Sequence, residues 1–142
     1  MEIGIKWVPQ KNLVCFLPAT KSYEPRENMV IVVPGLKALR PVVGMEYCLN
    51  LPPNAKYVIK IYRPWRPREG NVMYVKIYRI GEELPMWSRP IYSEIDLADV
   101  YAQIEKMDIP KSDKERLETL IRAIYEEGVR RRAKLRSRLK FF

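Results

Sequence analysis

The stretch KYVIKIYRPWRPREGNVMYVKIYRI, residues Lys56–Ile80, contains the tetrapeptide KIYR twice, once on each side of a basic, proline-broken segment. Apolar and polar residues alternate in both flanking runs, as is typical of β-strands. The Gly70-Asn71 pair that follows the basic segment is a favourable turn element. The stretch therefore predicts a long β-hairpin with a basic tip.

The two KIYR copies have the same phase in this hairpin. If Ile59 and Ile61 face the core, the residues between them point to the opposite face, because successive side chains of a strand alternate. We expect Lys60 to lie opposite Tyr74, since pairing Lys60 with Lys76 would place like charges directly opposite each other. The outer face of the hairpin is then predicted to carry Lys60, Tyr62, Tyr74, Lys76 and Tyr78.

Short apolar runs separated by prolines occupy the remainder of the first 92 residues. All 12 prolines lie at or before Pro110, and proline belongs at strand ends and edges because it cannot donate to a sheet ladder. A helical turn is predicted within PGLKALRP, residues 34–41. The predicted strands lie near residues 2–8, 12–17, 28–33, 44–50, 56–63 and 71–80, which suggests an antiparallel sheet or a small barrel.

Helical periodicity begins at Ser93. The run SEIDLADVYAQIEKM predicts one helix, and Ser112 with Glu115 forms a capping box that predicts the start of a second. The apolar stripe of the second helix meets Gly128, where a kink or weak point is expected. The sequence thus predicts an α+β fold: a β-rich domain at 1–92, an acidic helical hairpin packed on it at 93–127, and a basic helix extension or tail at 128–142.

Charge is segregated along these segments. The chain has 142 residues, a net charge of +9 and a pI near 9.6. Residues 1–92 carry a net charge of +7, residues 93–127 carry −5, and residues 128–142 carry +7 without a single acid. Concentrated positive charge favours polyanionic partners, nucleic acid first and a membrane surface a distant second.

The hypothesis that best fits this pattern is a non-enzymatic DNA- or RNA-binding protein with a slight preference for single strands. Lysine and arginine neutralise phosphates, and each base stacked on an aromatic ring contributes about 1–3 kcal/mol. The predicted contacts come from the sheet face, the hairpin tip and the tail: Lys60, Tyr62, Arg63, Trp65, Arg66, Arg68, Tyr74, Lys76, Tyr78, Arg130, Arg131, Arg132, Lys134, Arg136, Arg138 and Lys140.

Each of these features has a second interpretation. Lysine alternating with tyrosine is also an ordinary way to keep a sheet face soluble, and Trp65 could cap the core. The tail could instead pack on another chain, which would make the protein an assembly subunit, possibly a homodimer. The residues predicted for such a partner contact are Leu135, Leu139, Phe141 and Phe142.

The paired aromatics Phe141-Phe142 resemble the short C-terminal motifs that bind sliding clamps. Those motifs have a glutamine seven residues before the final aromatic and an aliphatic residue three before the first. Here Leu135 and Arg138 occupy these positions, and Leu139 comes one place late. The resemblance covers the last eight residues and implies a sliding clamp as one candidate partner.

Catalytic chemistry is not indicated. The chain has no histidine, which removes the usual general base near neutral pH. No aspartate precedes Asp96, and no glycine-rich phosphate loop is present. We therefore expect neither an enzyme nor a cofactor or metal site.

The two cysteines, Cys15 and Cys48, fall in separate predicted strands. We expect them to be small buried apolar residues. A disulfide between them is the alternative, and it would fit a hyperthermophile, as would the abundant Lys, Arg and Glu. The N-terminus lacks a basic leader followed by an apolar run, so a cytoplasmic location is expected.

Overall fold

The computed structural model describes residues 5–8, 13–16, 27–39, 47–63 and 70–139. Antiparallel strands precede two C-terminal helices, so the predicted α+β fold is confirmed. The described strands form two sheets, and no closed barrel is seen among them. The elements are β1 Ile5–Val8, β2 Leu13–Phe16, β3 Glu27–Val33, β4 Lys37–Leu39, β5 Tyr47–Asn50, β6 Tyr57–Arg63, β7 Met73–Arg79, β8 Trp87–Ile91, α1 Glu94–Glu105 and α2 Lys111–Leu139.

The predicted hairpin lies at the centre of the larger sheet. Its strands β6 and β7 pair with each other and are flanked by β3 and β8, in the order β4-β3-β6-β7-β8. The apolar phase of the hairpin is as predicted, because Ile59, Ile61, Val75 and Ile77 all face the helices and are buried. Helix α1 supplies Leu97, Val100 and Ile104 to this core, and α2 supplies Leu117 and Ile121.

A second layer covers the other face of the hairpin. The small sheet β1-β2-β5 contributes Val14 and Leu49 to a separate apolar cluster with Val30, Val32, Val58 and Tyr78 of the larger sheet. The indole Nε1 of Trp7 donates a hydrogen bond to the carbonyl oxygen of Glu82 at 2.8 Å. The central sheet is therefore enclosed between a helix pair and a smaller sheet.

A disulfide joins Cys15 of β2 to Cys48 of β5, where the two residues are directly opposite in the register. The expectation of two buried thiols is therefore wrong, and the alternative pairing is the one seen. Cys15 is buried, whereas Cys48 is exposed. The pairing of β2 with β5 could not be deduced from the sequence, because 33 residues separate the two cysteines.

Two strands, β4 and β8, were not predicted. The expected helical turn at 34–41 is instead a tight turn at Pro34–Leu36 followed by β4. Gly35 and Leu36 both have positive φ there, at 90° and 43°, which suits a turn better than a helix. Strand β8 contains Pro90, and its edge position tolerates the missing backbone donor.

The helix starts differ partly from prediction. In α1 the carboxylate of Asp96 accepts hydrogen bonds from the backbone N–H groups of Tyr92 and Ser93. Helix α2 begins at Lys111, so Ser112 lies inside the first turn and is not the cap. The carbonyl oxygen of Pro110 instead accepts the first N–H groups of this helix. The buried carboxylate of Asp113 accepts the Gly35 N–H at 3.1 Å.

The expected weak point at Gly128 is wrong, because α2 runs without interruption from Lys111 to Leu139. Gly128 is buried where the helix meets the end of the hairpin. A Cβ atom at this position would overlap Cγ1 of Val72 and lie 3.3 Å from the Val72 carbonyl oxygen. Glycine is needed here for the close approach of α2 to the sheet.

We predict that Gly128→Ala destabilises the fold. Alanine normally stabilises a helix interior by about 1 kcal/mol relative to glycine, but here the added methyl group meets a β-branched side chain. Overpacking of this kind costs about 1–3 kcal/mol, so the net change in the free energy of unfolding should lie between no gain and a loss of about 2 kcal/mol. Denaturant titration of both proteins with the disulfide intact measures the change in the free energy of unfolding.

The control for this prediction removes the opposing atom. In Val72→Ala/Gly128→Ala the loss should be smaller than the sum of the two single losses, with a coupling above about 0.5 kcal/mol. A Gly128→Ala protein more stable than wild type would show that helix propensity dominates and that the close approach does not constrain this position.

Candidate nucleic-acid interface

The basic end of α2 carries the longest run of cations without an acid in the sequence. The backbone is helical to Leu139, so the arginine-rich run from Arg130 onward is part of a helix. Arg130 and Lys134 are both exposed and stand one turn apart on one side of the helix. In the part of the chain that the structure describes, neither side chain forms an ion pair.

Three other arginines that were predicted to contact nucleic acid form hydrogen bonds or an ion pair within the chain. Nη2 of Arg63 is buried and donates to the carbonyl oxygen of Ile124 at 2.6 Å. Nη1 of Arg132 donates to the carbonyl oxygen of Gly70, also at 2.6 Å. Arg131 is half-buried and pairs with Glu127, four residues earlier on the helix, at 2.8 Å. Arg63 is therefore an anchor rather than the exposed tip residue that was predicted.

Arg63 and Gly70 flank residues 64–69, which include most of the predicted tip. Because both flanking residues bond to α2, the chain enters and leaves this segment beside the basic end of the helix. The other predicted residues of the tip and tail lie outside the described residues, or only their backbone is described: Trp65, Arg66, Arg68, Leu135, Arg136, Arg138, Leu139, Lys140, Phe141 and Phe142.

The predicted Lys/Tyr sheet face is not an open surface. Lys60 and Lys76 are each 2% exposed, and Tyr78 is also 2% exposed. The prediction of their phase is correct, since they point away from the helices. The prediction of their exposure is wrong, because strands β1, β2 and β5 cover that face. Their ammonium groups are therefore not part of an exposed surface in this structure.

The predicted register is wrong as well. Lys60 lies opposite Lys76, and Tyr62 lies opposite Tyr74. The two tyrosine rings stack with centroids 5.2 Å apart and planes 8° from parallel. Nζ of Lys76 lies 5.9 Å from the Tyr62 ring centroid and 5.6 Å from that of Tyr74. Ring stacking and cation–π contact therefore offset the repulsion between the lysines.

Tyr62 and Tyr74 are the two members of the predicted sheet face that remain half-buried. They lie at the end of the hairpin that leads to the tip, next to Arg63 in sequence and on the opposite side of the sheet from α2. Part of each ring is accessible, whereas the lysines behind them are enclosed.

The acids of the helix pair are partly neutralised from within the chain. Arg122 on α2 forms two hydrogen bonds to the Glu94 carboxylate, at 3.1 and 2.9 Å, and these hold the pKa of Glu94 below its ordinary value. Burial raises the pKa of Glu118, and a hydrogen bond to Glu105 raises it further. Glu105 and Glu118 thus adjoin on the helix pair, whereas Glu127 pairs with Arg131 at the start of the basic run.

Sequence reasoning missed the residues that position this interface. Gly128 sets the closest approach of α2, and the carbonyl oxygens of Ile124 and Gly70 receive the two arginine hydrogen bonds. The available signal was Gly128 itself, a residue without a side chain at a core position of a helical stripe. In the sequence alone, Gly128 indicates a weak point of one helix and does not show that the helix contacts Val72.

Comparisons with protein-family models, curated proteins and solved structures find no match to this chain. Among the described residues, no helix combines the length and apolarity needed to cross a bilayer. Within the same ranges, no group of three or more His, Cys, Asp or Glu side chains is placed to hold a metal ion.

We predict that Lys60 and Lys76 resist acylation by an amine-reactive reagent. Reaction requires the covering sheet to open, so both should react more than about tenfold slower than an exposed lysine. Lys37 of β4 is the matched control, because it is an exposed lysine in a strand of the same sheet. Site-resolved mass spectrometry over time gives the rates, and equal rates for all three lysines would contradict the enclosure of this face.

Proposed function

We propose that this protein is a non-enzymatic nucleic-acid-binding protein whose contact surface is the basic end of α2 together with the hairpin tip. The observation that carries the proposal is that Arg130 and Lys134 are exposed and form no ion pair with any described residue, on a helix that contains no acid after Glu127. A helix with one sign of charge over its last three turns attracts a polyanion and repels other cations.

Most of the affinity comes from phosphates. Each cation that neutralises a phosphate releases condensed counterions, so binding weakens steeply as salt rises. Arg131 and Arg132 contribute less than Arg130 and Lys134, because a carboxylate and a carbonyl oxygen already hold their guanidinium groups. The arginines and lysine at 136, 138 and 140 extend the same run in sequence.

We expect the hairpin tip to extend this surface, because the residues at both of its ends are bonded to α2. Since Arg63 and Gly70 are both held by α2, we expect Arg66 and Arg68 to join the basic end of the helix. Trp65, in the same segment, offers a ring on which an unstacked base could lie. The half-buried rings of Tyr62 and Tyr74 lie at the same end of the sheet, and these aromatics favour single strands slightly.

The lysines and tyrosine enclosed by the small sheet, Lys60, Lys76 and Tyr78, are not part of the proposed surface. Arg63 is also excluded, since its guanidinium is buried against α2. The proposed surface is therefore smaller than the one predicted from sequence and lies at one end of the molecule rather than on a sheet face.

We also propose a cytoplasmic location. Intracellular disulfides are rare except in hyperthermophiles, and this chain combines a disulfide with abundant Lys, Arg and Glu and with only two glutamines. The composition supports a thermophilic protein, and in such a protein the Cys15–Cys48 bond is compatible with an intracellular location.

We predict that Arg130→Ala/Lys134→Ala weakens binding to labelled single-stranded DNA, double-stranded DNA and RNA alike. Loss of two phosphate contacts should lower the magnitude of the log-affinity against log-salt slope by about 1–2. Fluorescence anisotropy titrations between about 50 and 200 mM salt give the slope.

Lys111→Ala/Arg116→Ala is the matched control. It removes the same charge from exposed residues of the same helix, at the opposite end of α2. We expect it to keep the wild-type slope, because the effect depends on position rather than on net charge. Undetectable binding by the wild type at low salt, or equal losses in the two variants, would reject the proposed surface.

A further inference from the structure

The Cys15–Cys48 disulfide lies within the small sheet that covers the lysine side of the hairpin. It joins β2 to β5 at directly opposite positions of the register, and the neighbouring pair in the same register is Val14 opposite Leu49. Val14 and Leu49 are buried against the larger sheet. Because successive side chains of a strand point to opposite faces, the disulfide is on the face of the small sheet that points away from the larger sheet.

A reagent in solution can approach this bond while the small sheet stays in place. Cys48 is exposed, whereas Cys15 is only 5% exposed. Reduction of a disulfide begins with the attack of a thiolate on one of the two sulfurs, so access to one side is sufficient. Cys48 is therefore the residue at which a reductant reaches the bond, and no prior opening of the sheet is required.

The small sheet is held on the larger sheet by few contacts. Within the described ranges, the strands of the two sheets do not pair with each other. Val14 and Leu49 supply the buried apolar contact, Ile5 and Trp7 are partly buried beside it, and Trp7 adds its hydrogen bond to the Glu82 carbonyl oxygen. A layer with few buried apolar contacts separates at a lower free energy than the rest of a domain.

The helix layer on the other face is held more firmly. Both helices bury apolar side chains along their length against the larger sheet. Polar contacts cross the same interface, since Arg63 donates to the Ile124 carbonyl oxygen and the Asp113 carboxylate accepts the Gly35 N–H. The small sheet is therefore the layer that we expect to separate first, and it is the layer that contains the disulfide.

Separation of the small sheet would change the charge of the accessible surface. Lys60, Lys76 and Tyr78 lie on the face of the larger sheet that points toward the small sheet, and each is 2% exposed. Lys76 contacts the half-buried rings of Tyr62 and Tyr74 at the edge of this enclosed region. An open form presents two ammonium groups that the closed form conceals.

We propose that the Cys15–Cys48 bond is a redox-sensitive switch. A dithiol reductant breaks the bond, the small sheet then separates from the larger sheet, and Lys60 and Lys76 become accessible. Oxidation of the two thiols to the disulfide closes the small sheet again. The inference does not rest on nucleic-acid binding, since it concerns residues outside the proposed contact surface.

The exchange of electrons and protons is balanced by the dithiol. One thiolate of the reductant attacks Sγ of Cys48, forms a mixed disulfide and displaces Cys15 as a thiolate. The second thiol of the reductant then attacks its own sulfur in the mixed disulfide and displaces Cys48. Two electrons pass to the protein, the dithiol becomes a cyclic disulfide, and the protons of its two thiols end on Cys15 and Cys48.

Lysine acylation before and after reduction tests the proposal on the full-length protein. One sample keeps the disulfide, and the other is reduced with dithiothreitol, which is removed under nitrogen before an amine-reactive reagent is added. We expect Lys60 and Lys76 to react at least about tenfold faster in the reduced sample, because loss of the cross-link lowers the free energy of local opening. Lys37, exposed in β4, is the internal control and should keep its rate.

Cys15→Ser/Cys48→Ser is the matched variant, because it lacks the bond without any reductant. Its Lys60 and Lys76 should react at the fast rate with or without dithiothreitol, and reoxidised wild type should return to the slow rate. Hydrogen exchange gives a second readout that is independent of acylation. We expect faster amide exchange in β1, β2 and β5 of the reduced protein, whereas α1 and α2 keep their protection and their circular dichroism signal.

Two results would overturn the proposal. If Lys60 and Lys76 react at the same rate before and after reduction, the bond does not control access to this face. If reduction abolishes the helical signal, the bond stabilises the whole fold and is not a switch for one layer. The hydrogen-exchange pattern separates these two results, because the first leaves β1, β2 and β5 protected and the second exposes every element.

Discussion

Burial of the β6–β7 hairpin on both faces is the constraint on which the rest of the structure depends. The hairpin is paired with β3 and β8 at its edges, covered by the helices on one face and by the small sheet on the other. Lys60 and Lys76 are therefore interior, and the cation–π contacts of Lys76 with the stacked rings of Tyr62 and Tyr74 offset part of the cost of enclosing that one ammonium group. Because the faces are occupied, the end of the sheet is what the hairpin leaves accessible.

That end is where α2 approaches most closely. Gly128 lets the helix backbone meet Val72, and Arg63 and Arg132 bond across the junction on either side. These contacts fix both the rotation and the position of α2 on the sheet. Helix α2 continues beyond this junction to Leu139, so the basic run that starts at Arg130 begins directly after it.

The sequence predicted what depends on one segment at a time. The alternation of apolar and polar residues predicted the hairpin and which of its residues face the core. Apolar residues spaced three to four positions apart predicted both helices. Features that depend on two distant segments were not predictable: the disulfide, the cover over Lys60 and Lys76, and the role of Gly128 as a contact. Charge repulsion alone did not predict the register, because the observed register stacks Tyr62 on Tyr74 while it places Lys60 opposite Lys76. Strand β8 was not predicted because it contains Pro90, and proline is found in strands mainly at the edge of a sheet.

The segregation of charge along the sequence corresponds to different surroundings of the charged residues in the structure. Acids remain on the helices that pack on the sheet, where Arg122 and Arg89 bridge them to neighbouring elements. Along α2 the acids end at Glu127, and the cations that follow begin with Arg130, which is exposed. Within the described residues neither Arg130 nor Lys134 forms an ion pair. The potential at this end of the helix is therefore set by a run of cations that no acid interrupts.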